Sequence, residues 1–225
     1  SFLGRRYRDD GPDLRALPET IVLPAREGHP PSPKPPVRIF VGTEAAQFRA
    51  ERVFVWSVEQ VRDPARRYEI HLMKNLAGFR RQLWLTGFTN YRFAVPHLAG
   101  ADGRAIYNDV DQIYLADPAD LFDLDMEDCG YRSISDQDTS VMLIDCARMA
   151  TIWRLNDTMR RPRRVLDCAA RAVPGLWGPI DPGWNARDRE YAPGRAKVLH
   201  FTEMRTQPWR PLPREYVYAD NPVGE

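Results

Sequence analysis

The chain has 225 residues, of which 43% are hydrophobic and 28% charged, and its formal net charge is +1. That is enough for one substantial domain with appendages, of ordinary soluble composition. A charge this near balance excludes a dominant nucleic-acid footprint, and no apolar run reaches the length of a membrane span.

The opening "SFLGRRYRDD" lacks the apolar centre of a signal peptide, and its first residue, Ser rather than Met, suggests a larger parent chain. Eight of the 20 prolines fall in the first 36 residues. They mark residues 1–36 as a Pro-rich arm, with "GHPPSPKPP" (28–36) a stiff linker and "PETIVLP" (18–24) an apolar patch able to pack as an edge strand. The domain is expected over 37–211, followed by a tail over 212–225.

"VRIFVG" (37–42) is a β-branched run ending in Gly and predicts a buried strand with a sharp turn at Gly42. Ala45, Phe48, Val55 and Val58 recur at helical spacing within 44–62. "RYEIHLM" (67–73) alternates as a strand does, and "TNYRFAVPHLAG" (89–100) reads as a helix with a Pro near its end. "RAIYND" (104–109) is a further strand. Asp117 before Pro118 is a plausible N-cap for a short helix. "SVMLIDC" (140–146) predicts a strand, residues 147–159 a helix, and "AKVLHFT" (196–202) a late strand. Strands alternating with helices predict an α/β fold with a mainly parallel sheet.

Cys129, Cys146 and Cys168 form no Cys-x-x-Cys pair, which argues against a disulfide framework and a structural zinc site. A reducing, cytoplasmic compartment is the simpler expectation. The basic run "RRPRR" (160–164) reads as a solvated face or as a patch able to meet the inner face of an anionic membrane.

The chemistry concentrates in "GRAIYNDVDQIYLADPADLF" (103–122). Parallel α/β sheets bind ligands at the carboxyl ends of their strands, where Asp109 is expected. Residues two apart in extended chain point the same way, so Asp109 and Asp111 can converge, with Val110 turned into the core. Two adjacent carboxylates repel and lose hydration, and a divalent cation relieves both costs. Oxygen donors suit Mg²⁺, Mn²⁺ or Ca²⁺. An EF-hand loop is excluded, because Tyr114 stands where Gly is required and Asp120 where Glu is. An acidic turn that merely ends a strand remains the bland alternative for so short a pattern.

This stretch resembles the central motif of family 8 glycosyltransferases, as found in a bacterial branch with poorly defined substrates. "RIFVGTE", "FTNYRFAVPHLAG", "SVMLIDC", "GWN" (183–185) and "HFTEMRTQPW" (200–209) match further motifs of that family in order. The resemblance implies a GT-A-like (Rossmann-like) nucleotide-diphospho-sugar transferase fold. It implies Mn²⁺ or Mg²⁺ held by Asp109, Asp111 and His200, and a UDP-sugar donor over Val41, Gly42 and Thr43, next to Val110. Arg92 would meet the sugar or phosphate. The family's closing Lys is absent; Arg205 stands in for its diphosphate contact, beside Gln207, and Glu203 replaces a Gly. The familiar Asp-Gln-Asp before "WN" is also missing, which leaves Asp138 and Asp167 as candidates for sugar or acceptor contacts. Trp177, Trp184 and Trp209 either line a sugar site or pack in the core, while His71 and His97 are expected to be structural.

The activity implied is transfer of a hexose, with retention of configuration, to a hydroxyl of a saccharide, lipid-linked or protein acceptor. Two other readings stay open. One is a non-catalytic nucleotide-sugar-binding module of a larger carbohydrate-assembly protein. The other is a nucleotidyltransferase, although "VGTEAAQF" lacks the Gly-rich, Lys-bearing loop that chemistry uses.

Overall fold

The structure is a computed structural model and describes residues 17–79 and 88–209. Expectations for residues 1–16 of the arm and for the 212–225 tail lie outside the described residues. The first half of the chain forms β1 (Thr20–Leu23), β2 (Val37–Gly42), α1 (Phe48–Val61), β3 (Tyr68–Met73), α2 (Tyr91–Leu98), β4 (Arg104–Asp109), β5 (Gln112–Tyr114) and α3 (Pro118–Phe122). The second half adds β6 (Tyr131–Ser133), β7 (Val141–Asp145), α4 (Cys146–Ile152), α5 (Leu155–Arg160), α6 (Arg163–Arg171), β8 (Trp177–Pro179), β9 (Ala186–Arg187) and β10 (Val198–His200).

Seven strands make one mixed sheet in the order β1-β3-β2-β4-β7-β6-β8. Its centre, β3-β2-β4, is parallel, and β7 runs antiparallel to β4. Both faces are covered, so the strands carry apolar residues on both sides. Along β2, Val37, Ile39 and Val41 enter one core while Phe40 enters the other. The same alternation runs through Ile106 against Tyr107 on β4, and Val141 and Leu143 against Met142 and Ile144 on β7. Phe54 and Val58 of α1 close the first core; Phe93 of α2, Met149 of α4 and Leu166 of α6 close the second. Each fully buried apolar side chain of this kind contributes about 1.5–3 kcal/mol.

The sheet begins earlier than the expected domain start. β1 pairs antiparallel with β3, Thr20 opposite His71 and Leu23 opposite Tyr68, so it is the edge strand. The Pro-rich stretch after it is tied down rather than free. Arg26 N–H donates to Pro64 O at 2.7 Å and Ser32 N–H to Ala65 O at 2.8 Å. The buried Arg66 guanidinium donates to Pro35 O and makes a two-pronged pair with Asp123 at 2.6 and 2.9 Å. Asp117 caps α3 as expected, accepting from Ala119 N–H, and also accepts from the Tyr68 hydroxyl at 2.6 Å.

A second, small sheet positions the site. β10 pairs antiparallel with β5, His200 opposite Gln112, and parallel with β9, His200 opposite Arg187. Phe201 N–H donates to Asp111 O at 2.9 Å, which extends the β5–β10 ladder onto the Asp109–Asp111 turn.

Candidate functional site

Asp109 ends β4 and Gln112 begins β5; Val110 and Asp111 form the turn between. The two carboxylates therefore meet across a tight turn joining two sheets, not along one extended strand as the sequence suggests. The turn is braced from below. Asn108 Nδ2 donates to Gln112 Oε1 at 2.7 Å, Gln112 Nε2 donates to Ser140 O at 3.0 Å, and the Tyr114 hydroxyl donates to Asn108 Oδ1 at 2.8 Å. All three of these side chains are buried. Val110 packs in the core at 0% exposure, so its side chain is closed to any ligand.

β10 delivers His200 to the same point. Asp109, Asp111 and His200 each offer a donor atom, and these atoms lie within 4.8 Å of one another. His200 Nε2 is 3.2 Å from Asp111 Oδ1. Adjacent ligands of an octahedral ion, bound at about 2.1 Å, stand about 3 Å apart, so this spacing fits a shared cation. Asp111 Oδ1 is buried and accepts no hydrogen bond of good geometry, and an orphaned buried oxygen of this kind calls for a cation or proton. Two oxygens with one imidazole suit Mn²⁺ better than Ca²⁺. Burial disfavours the His200 imidazolium, but the charges of Asp111, Asp109 and Asp138 outweigh it and hold its pKa above the ordinary value.

Asp109 is held from the other side. Its Oδ1 accepts from the Arg92 guanidinium at 2.9 Å and from the Tyr107 hydroxyl at 2.6 Å. Arg92, on α2, is buried; it also donates to Thr89 O and Thr139 Oγ1, and its guanidinium lies over the Tyr107 ring at 4.9 Å. Burial and the nearby Asp109 carboxylate push the Tyr107 hydroxyl well above the ordinary phenol value, Arg92 notwithstanding, so it stays a neutral donor.

Beside these groups opens a cavity of about 390 Å³, lined by Arg92, Asp109, Asp138, Arg163, Arg187 and His200, with Ser135, Gln137 and Ser140. Asp138 accepts from Ser140 N–H and Oγ–H on one oxygen, and from Asn185 Nδ2 at 2.9 Å and Arg187 at 2.6 Å on the other. Burial pushes its carboxyl up, but these donors prevail and hold its pKa below the usual range. Asp167, on α6, pairs with Arg163 at 3.3 Å; burial raises its pKa despite the Arg163 and Arg92 charges.

The remaining expected residues do not line this cavity. Val41, Gly42 and Thr43 are buried and line neither this cavity nor a neighbouring one behind Arg187. Thr43 Oγ1 instead donates to the buried Glu51, itself paired with Lys74 at 2.9 Å. Arg205 pairs with Glu203 at 2.6 Å, and Gln207 is buried with its amide on Phe201 O. Trp184 sits in the first core with Trp209 packed against that core, and Trp177 packs against the second. His71 stacks on Phe40, and His97 bonds Trp153 O, both as structural residues.

Three residues near the centre received no role from the sequence. Tyr107 and Asn185 lie inside quoted motifs, but only the fold shows what they touch. Arg163 belongs to a basic run in which Arg160, Arg161 and Arg164 are exposed while Arg163 turns inward.

No family model and no curated protein sequence matches the chain. Solved structures do. The bifunctional glycosyltransferase WbbM superposes with a TM-score of 0.57 at 11% identity, covering 74% of this chain and 45% of its own. The galactosyltransferase LgtC gives 0.53 at 14%, covering 73% and 87%. The glycosyltransferase GlyE of Streptococcus pneumoniae TIGR4 gives 0.54 at 15%, covering 74% and 55%. The fold is GT-A. This GT-A chain thus spans about half the length of WbbM and GlyE and most of LgtC. Among its described residues no helix is long and apolar enough to cross a membrane.

Proposed function

We propose that the chain is a metal-dependent glycosyltransferase moving a hexose from a UDP-sugar to a hydroxyl acceptor with retention of configuration. The observation that carries this reading is the convergence of Asp109, Asp111 and His200 beside an arginine-lined cavity, on a fold shared with glycosyltransferases. LgtC was solved with donor and acceptor sugar analogues, and we extend that pair of ligands to this chain. The uridine base and the retained configuration rest on the family resemblance of the motifs.

Asp109, Asp111 and His200 would hold Mn²⁺ or Mg²⁺, which would supply positive charge to stabilise a departing diphosphate. The chain's own groups do the rest. Arg92 holds a buried, pre-oriented charge at the cavity wall, fixed by Thr89, Thr139 and Asp109. Arg163 and Arg187 add charge along the same wall. Asp138, with four hydrogen bonds on its two oxygens, is poorly placed as a covalent nucleophile. A front-face displacement needs none: the sugar C1–O bond to diphosphate breaks, the bond to the acceptor oxygen forms on the same face, and the acceptor proton passes to the diphosphate.

The test is a panel of uridine, guanosine and cytidine diphosphate sugars with and without Mn²⁺, read by thermal shift and by donor turnover. A UDP-sugar should stabilise the protein only with Mn²⁺, and Asp111→Asn should cut turnover by about 10²-fold or more. Preference for a guanosine donor would overturn the uridine assignment. Saturable binding without turnover, acceptors included, would instead identify a non-catalytic binding module.

A further inference from the structure

His200 meets Asp111 through one ring nitrogen and Asn185 through the other. Nδ1 lies 2.8 Å from Asn185 Oδ1, and both residues are buried. Which nitrogen keeps the hydrogen decides whether Nε2 can ligate a cation, since only the unprotonated nitrogen has a free lone pair.

The surroundings dictate the answer by elimination. Asp138 is a carboxylate, so it can only accept, and it faces Asn185 at 2.9 Å. The Asn185 amide must therefore turn its nitrogen toward Asp138. The Ser140 hydroxyl spends its hydrogen on Asp138 Oδ1, which makes Ser140 Oγ an acceptor for the second Asn185 N–H at 3.1 Å. With both amide hydrogens committed, Asn185 presents its carbonyl oxygen to His200. That oxygen can only accept, so Nδ1 carries a hydrogen whether the ring is charged or neutral, and in the neutral ring the lone pair is left on Nε2. Nε2 faces Asp111 Oδ1 at 3.2 Å: it donates there when the ring is charged, and when the ring is neutral it offers its lone pair to an ion shared with that oxygen.

We infer that Asn185 and Asp138 are positioning residues for the cation site: the chain Arg187–Asp138–Asn185 fixes the tautomer of His200 and aims Nε2 at the ion. Partners of this kind behind a ligating imidazole are worth about 10–100-fold in metal affinity. The inference rests on the cation-site reading above, and gives Asp138 a role that acts through His200 rather than on the sugar.

The experiment is Mn²⁺ binding to the protein without nucleotide, followed by the electron-spin-resonance signal of free Mn²⁺. Asn185→Leu should bind Mn²⁺ about 10–100-fold more weakly than wild type. The exchange variant Asn185→Asp with Asp138→Asn should recover most of the affinity. The carboxylate introduced at 185 still accepts from Nδ1–H, and the amide introduced at 138 donates to it. A nitrogen–proton correlation spectrum of the wild type saturated with Mg²⁺ should place the His200 ring hydrogen on Nδ1. An Asn185→Leu protein that binds Mn²⁺ as tightly as wild type would overturn the inference and leave the cation site standing; a hydrogen on Nε2 in the Mg²⁺-saturated protein would overturn it and also remove His200 from the ligand set. Wild-type protein that binds no Mn²⁺ would overturn both. Should Asn185→Leu fail to fold, the exchange variant and the wild-type spectrum still decide.

Discussion

A methyl group at Gly42 would run into the Tyr107 hydroxyl and approach Phe88 Cδ2 at 2.9 Å. Gly42 lies opposite Asp109 in the β2–β4 ladder, and its missing side chain leaves room for the hydroxyl that holds the Asp109 carboxylate. The sequence suggests a turn glycine there, yet Gly42 is not among the residues with positive φ. Clearance, not backbone freedom, explains it. That reason was illegible in sequence because Tyr107 arrives from another strand. Gly42→Ala should destabilise the fold by about 1–3 kcal/mol through overpacking, measured by denaturant unfolding. Because it displaces Tyr107 from Asp109, it should also weaken Mn²⁺ binding, measured by titration; unchanged affinity would show that Asp109 needs no such support.

Elements with strong periodicity were legible, and those defined by distant partners were not. β2, β3, β4 and β7 fall within a residue or so of the runs that predict them. One helix expected over 147–159 is two, α4 and α5, because Trp153 leaves helical geometry at φ −94°, ψ 73° and buries its indole with Nε1–H on Leu166 O. A local apolar pattern cannot announce a break set by a side chain reaching α6. β6, β8 and β9 have two or three residues each, too short for any alternation to register. The turn between β4 and β5 belongs to the same class: its carboxylates are plain in sequence, its bracing by Asn108, Gln112 and Tyr114 is not. Gln112→Leu leaves Asn108 Nδ2 without this partner, while Ser140 O keeps the Asp109 N–H, and should cost about 1–3 kcal/mol for the amide left unpaired. Urea unfolding would measure that cost, and Mn²⁺ titration would reveal a loosened Asp109–Asp111 turn.

On the scale of the whole molecule, the α/β class was legible, and so was the meeting of Asp109, Asp111 and His200, because alternating strands and an ordered set of motifs run the length of the domain. The edge strand β1 and the docking of residues 26–35 were harder to see, since prolines there mimic a free linker. Arg66 is central to that docking, with Pro35 on one side and Asp123 on the other. Hydrogen bonds from Arg66, and then from Lys34, hold the Asp123 carboxyl below the usual range despite partial burial. A depressed folded-state pKa stabilises above the unfolded value of about 3.9 and stops contributing as pH falls through the folded value. Asp123→Asn should therefore lower the melting temperature at neutral pH, and the gap to wild type should close below about pH 4. A gap that persists in acid would trace the effect to packing rather than charge. The seven-stranded sheet is complete by Pro179, whereas the imidazole waits for His200 on β10. During synthesis, then, the main scaffold and both carboxylates leave the ribosome first, and the group able to hold a cation is assembled only when β10 docks.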